Sequence, residues 1–128
     1  MNPTKNPRSI VASGNNAAGA TTRGTLDLRT AFGGLLTARI TNGATGPTVQ
    51  GVCNVLVAHN SGATPAAGSQ GTDWKLLYTF GGGTTANALT EIPIQIPQAV
   101  MHVCVEFTSN TGQAVTVEAY MSEVTSIA

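Results

Sequence analysis

The chain has 128 residues, enough for one domain that buries a real core without metal or disulfide staples. Charged residues make up only 9%, against about 25% in ordinary soluble proteins, and six basic residues balance six acidic ones. That neutrality leaves no field to steer nucleic acid and little repulsion against self-association, as suits a small part that works inside an assembly.

Residues 1–24 contain Pro3 and Pro7, then a run of Ser, Gly, Asn, Ala and Thr, with Ile10 and Val11 as the only apolar anchors. They read as a flexible or extended N-terminal arm, pinned by a short strand over 9–12 and ordered against a neighbouring subunit. No stretch at the start has the apolar core of a signal peptide, and no later run is long enough to span a membrane. The expected setting is therefore a reducing cytoplasm, with Cys53 and Cys104 as buried free thiols.

From residue 25 to 128 the pattern is that of one β-sandwich domain. Over 25–29, Leu26 and Leu28 point inward and Asp27 outward, a short strand. Residues 35–41 alternate Leu36, Ala38 and Ile40 against Thr37, Arg39 and Thr41, and a dense turn signal follows at 42–47. Residues 48–59 read as a longer strand, with two apolar registers that require burial on both faces or a bulge near Gly51. A loop over 60–72, rich in Gly, Ala, Ser and Pro, is long enough to be a contact loop. Trp74, Leu76, Tyr78 and Phe80 then share one face of a strand. Over 88–96, Ile92, Ile94 and Ile96 oppose Glu91, Pro93 and Gln95; Pro93 and Pro97 cannot donate to a ladder, which puts this strand at a sheet edge.

The last two strands, over 100–107 and 114–124, alternate cleanly and flank Thr108-Ser109-Asn110-Thr111-Gly112-Gln113, a connection expected to close a β-hairpin. The whole is an all-β, single-domain antiparallel β-sandwich, jelly-roll-like, with no helix.

Chemistry is harder to find. Cys53, His59, His102 and Cys104 are the ligand types of a zinc site, but no Cys-x-x-Cys knuckle joins them, so no metal or cofactor is expected. Glu106 and Glu118 read as solvated residues on the outer faces of the C-terminal strands rather than a paired acid and base. There is no Gly-x-Ser-x-Gly elbow, and Gly81-Gly82-Gly83 lacks the lysine and helix of a phosphate loop. Neither a nucleic-acid stripe nor an enzyme is expected. Trp74 and Tyr78 leave open a carbohydrate-binding module, although core packing explains both.

Thr25-Leu26-Asp27-Leu28-Arg29, Arg39-Ile40-Thr41-Asn42-Gly43, the run from Val55 to Asn60, Asp73-Trp74-Lys75 and the run from Gly112 to Ala119 resemble the small β-sandwich cement or decoration proteins of tailed-bacteriophage heads. The likeness covers residues 25–124. It implies a homo-oligomer, dimer or trimer, on the capsid exterior of a virion, bridging neighbouring major capsid subunits, without nucleic acid or membrane as partner. Lys5, Arg8, Ile10 and Val11 of the arm and Thr64 and Pro65 of the long loop are the expected contacts. A tail or fibre component is the nearest alternative.

Overall fold

The computed structural model describes residues 2–59 and 73–126. These form β1 (Thr4–Asn16), β2 (Thr22–Asp27), β3 (Gly34–Asn42), β4 (Val52–Ala58), β5 (Lys75–Gly81), β6 (Leu89–Ile96), β7 (His102–Thr108) and β8 (Val115–Ser126). Sheet A has the order β1-β8-β3-β6 and sheet B the order β2-β7-β4-β5, with every pairing antiparallel. Only β4 and β5 are both consecutive and paired; every other connection crosses from one sheet to the other. Two four-stranded sheets laced together in this way are a jelly roll.

Alternation explains the layers. In β3, Leu36, Ala38 and Ile40 are fully buried while Leu35, Thr37 and Arg39 face away. Val117, Ala119 and Met121 of β8 meet them from the next strand, and Val103, Val105 and Phe107 of β7 close the core from sheet B. At about 25 cal/mol per Å² of apolar surface, each of these side chains other than the two alanines contributes roughly 1.5–3 kcal/mol before entropy is charged against it.

Three expectations change. The arm over 1–24 is not a separate unit: β1 pairs with β8 along its length, and β2 runs through residue 24. Ile10 and Val11 are neighbours yet both buried, because register shifts between Ser9 and Val11 and between Val11 and Gly14 turn both inward. The strands at 100–107 and 114–124 are not a hairpin, since β7 lies in sheet B and β8 in sheet A. Their connection is a crossing held by Asn110, whose side-chain amide donates to the carbonyls of Asn16 and Gln113 at 3.2 and 3.0 Å. A turn sequence supplies the reversal but carries no information on which sheet the next strand joins.

Of the two readings for 48–59, burial on both faces is the one observed, with Cys53 and Val55 in the main core and Leu56 and Ala58 in a second cluster; a bulge lies further on than Gly51, between Val55 and Leu56, where Leu77 is the extra residue on β5. It divides the apolar face expected for 74–80. Tyr78 and Phe80 stand opposite the inward Val55 and Cys53, whereas Leu76 stands opposite the outward Leu56. Pro93 lies on β6, an edge of sheet A as the prolines require.

Candidate functional site

The outer face of sheet A is the surface least explained by folding. Between the buried residues of β3, the outward ones are Leu35, Thr37, Arg39 and Thr41, and the register sets their neighbours. Leu35 lies between Ser122 and Gln95, and Thr37 between Tyr120 and Pro93. Leu35 is 49% exposed, Tyr120 43% and Leu89 58%, a high price in water for large apolar groups on one sheet. Arg39 sits in the middle, 2.7 Å from Glu118 and 3.9 Å from Glu91, so this cation is paired and the three groups together leave one negative charge. Where β3 begins, Lys5, Gly34, Leu35, Gln95, Ser122 and Val124 line an open groove of about 260 Å³.

The outer face of sheet B is built differently. Leu56, Ala58, Trp74 and Cys104 form a second small apolar cluster there. Beside it a polar chain crosses all four strands: Arg23 Nε and Nη2 donate to Glu106 Oε2 at 3.1 and 2.8 Å, Asn54 Nδ2 donates to Oε1 at 3.0 Å, and Thr79 Oγ1 donates to Asn54 Oδ1 at 2.7 Å. Glu106 is only 5% exposed, which corrects its reading as a solvated face residue. Every strand of sheet B gives this chain one residue, so it fixes strand alignment and leaves no carboxylate oxygen idle. Glu118 is across the sandwich in sheet A, so the two glutamates do not form a pair.

The zinc-type set is not assembled. Cys53 belongs to the main core and Cys104 to the outer cluster, on opposite faces of sheet B, while His59 is exposed. Burial, with the Glu106 carboxylate adding to it, pushes the Cys53 thiol up to about 12; burial likewise raises Cys104 to about 11. Both are free thiols, and neither is a nucleophile at neutral pH. His102 is buried, with Nδ1 4.0 Å from Asp27 Oδ1, and its Nε2 has no partner among the described residues.

The expected contact residues scatter. Ile10 and Val11 lie in the chain's own core and are removed from the surface. Arg8 is tied to the buried Glu123 at 3.0 Å. Lys5 lines the groove on sheet A. Thr64 and Pro65 lie outside the described residues. Trp74 is 3% exposed, so it offers no stacking platform for a sugar; Tyr78, at 42%, packs its ring beside Phe80 with centroids 6.4 Å apart. Leu35, Tyr120 and Leu89 escaped the sequence reading because each occupies a polar register, where an isolated apolar residue draws no notice until the strands are aligned.

No helix among the described residues is long and apolar enough to cross a membrane. Neither a family model nor a curated protein matches the sequence. Solved structures do match its shape. The K3 cleaved adhesin domain of Lys-gingipain from Porphyromonas gingivalis W83 is 10% identical, with a TM-score of 0.60 over 86% of this chain and 72% of that one. A chain in the structure of infectious bursal disease virus, Gx strain, is 11% identical at a TM-score of 0.51, covering 98% of this chain and 33% of that one. The SPBc2 prophage-derived protein YomS is 19% identical at 0.45, covering 95% and 96%. What the adhesin domain and the viral chain share with this chain is the β-sandwich fold.

Proposed function

We propose that the chain is a structural virion protein that sits on the outside of a phage capsid and cements neighbouring major capsid subunits through the outer face of sheet A. The observation that carries this reading is that face itself: Leu35, Tyr120 and Leu89 exposed on one sheet, with Arg39 already paired to Glu118. Such a surface buries against a partner at little desolvation cost, whereas unpaired charges would cost several kcal/mol each. Lys5, at the groove beside Leu35, is the proposed polar contact of the same face. Contacts repeated by capsid symmetry add avidity, so each one is modest.

Co-sedimentation with expanded phage heads tests the reading. Saturable binding is expected, weakened at least tenfold by Leu35→Asp and by Tyr120→Asp, with circular dichroism unchanged. Heads that pellet without the protein would remove the cement reading, and heads that bind both variants normally would move the contact off sheet A.

A further inference from the structure

We infer that Asn42 is a self-modification site, whose side-chain amide is lost to attack by the Gly43 backbone nitrogen once the chain opens. The folded sandwich holds that reaction off, and a chain that has reacted does not fold again. Asn42-Gly43 is the one Asn-Gly pair in the sequence. Glycine has no side chain to shield its nitrogen and turns its backbone freely, so this pair cyclises faster than any other asparagine in the chain.

The step needs only water and its hydroxide. The Gly43 nitrogen gives up its proton to hydroxide and attacks Asn42 Cγ; the Cγ–Nδ2 bond breaks, and the nitrogen leaves as ammonia after taking a proton from water. The five-membered succinimide then adds water at one of its two carbonyls, which opens it to aspartate or to isoaspartate. Either product carries a carboxylate in place of the neutral amide, and isoaspartate also routes the main chain through Cβ.

The fold blocks this through both backbone and side chain. Asn42 ends β3 as a paired residue, opposite Val115 of β8, and its N–H donates to the Ala88 carbonyl at 2.9 Å. The Gly43 carbonyl accepts from Asn87 N–H at 2.8 Å, which pins the next peptide. Ring closure needs the Gly43 nitrogen swung onto the Cβ side, a rotation of ψ away from strand values that breaks this pairing. The side chain is fixed as well. Asn42 is 3% exposed, and its Nδ2 donates to the carbonyls of Gly82, Gly83 and Thr85 at 3.3, 3.2 and 2.9 Å.

The same contacts make the product incompatible with the fold. A carboxylate donates nothing, so one of its oxygens would face three carbonyl oxygens where Nδ2 now donates. The other oxygen gains no donor either, since Asn42 Oδ1 is buried with no partner among the described residues. The loops at this end of the sandwich, over 17–21, 43–51, 82–88 and 109–114, contain no charged residue to pair with it. A neutral amide is thus exchanged for a buried, unpaired charge, among the most destabilising changes a core can take. Gly43, in contrast, is dispensable to the fold: a Cβ there would meet only the Thr45 carbonyl at 3.9 Å, an ordinary contact.

Peptide mass spectrometry of the full chain, incubated at mildly alkaline pH both folded and in guanidinium chloride above its midpoint, follows the reaction. Unfolded, the chain should convert at Asn42 ahead of every other asparagine, to a mixture of aspartate and isoaspartate. Folded, it should convert at least about tenfold more slowly, since only the open fraction reacts. Gly43→Ala should melt like the parent and, when unfolded, convert at least about tenfold more slowly, because the added methyl shields the nitrogen. After the denaturant is diluted away, the compact fraction on size exclusion should hold amide-bearing chains and the unfolded fraction the converted ones. Asn42→Asp should likewise elute unfolded. Conversion at another asparagine first, equal rates in folded and unfolded chain, a Gly43→Ala chain converting at the parent's rate, or converted chains refolding beside the parent would overturn the inference. None of these readouts uses a capsid, so they leave the cement reading untouched.

Discussion

Glu106 shows how much one buried carboxylate organises. It accepts from Arg23 and from Asn54 on the strands either side of it. Glu106→Ala strands both donors, and Arg23 is a third exposed, so water recovers part of the loss. We expect a destabilisation of about 2–3 kcal/mol in urea unfolding, from unsatisfied groups rather than lost packing. Asp27 acts at the surface instead. Hydrogen bonds from the Arg29 side chain, and then from its backbone N–H, hold the carboxyl at about 2, below its ordinary 3.8. A group depressed in the folded state contributes stability above its unfolded value and loses it as pH falls through the folded one. The acid limb of stability between about pH 4 and 2 should therefore flatten in Asp27→Asn, by a small amount because both partners are exposed. Equal acid limbs in the two proteins would show that the pair contributes nothing.

At the scale of elements, the seam between β1 and β2 is the tightest approach of the two sheets. A Cβ on Gly24 would run into the Ile10 carbonyl, a backbone atom that cannot swing aside. Gly24→Ala should cost about 1–3 kcal/mol by forcing the edges apart, visible as a lower urea midpoint with an unchanged slope. Gly33 is constrained twice over, by a φ of +72° and by the Ile96 carbonyl facing it. Much at this scale was legible in the residues. Leu36, Ala38 and Ile40, the isoleucines of β6 and the proline-marked edge all follow from period-two alternation. Which sheet β8 joins did not, because that depends on the buried Asn110 and Asn16 amides, 2.6 Å apart across 94 residues of chain. The bulge at Leu77 was equally silent, since one extra residue leaves the apolar composition of a strand unchanged.

On the whole molecule, the proposed capsid contact uses one sheet and leaves the other untouched. Leu35→Asp should fail on heads while its circular dichroism stays that of the parent chain. A titration of parent and variant on heads checks this; equal midpoints would mean that the outer face of sheet A is not the contact. The candidate face was legible only once strands were aligned, since Leu35, Tyr120 and Leu89 are far apart in sequence and come to one face of the sheet through β3, β8 and β6, with Leu89 at the far end of β3 from Leu35.

The lacing of the two sheets also dictates when this chain can fold. β7 lies between β2 and β4, and β8 between β1 and β3, so the last two strands of the sandwich in chain order are interior strands of the two sheets. Until they leave the ribosome, β1 and β2 have no ladder partner, and three quarters of the sequence waits. Contacts so distant along the chain put it among the slow folders, in the millisecond-to-second range. A nascent chain stalled before residue 102 holds no native sheet beyond the β3–β6 and β4–β5 pairs, and quality control would meet it as an open chain rather than a half-built sandwich.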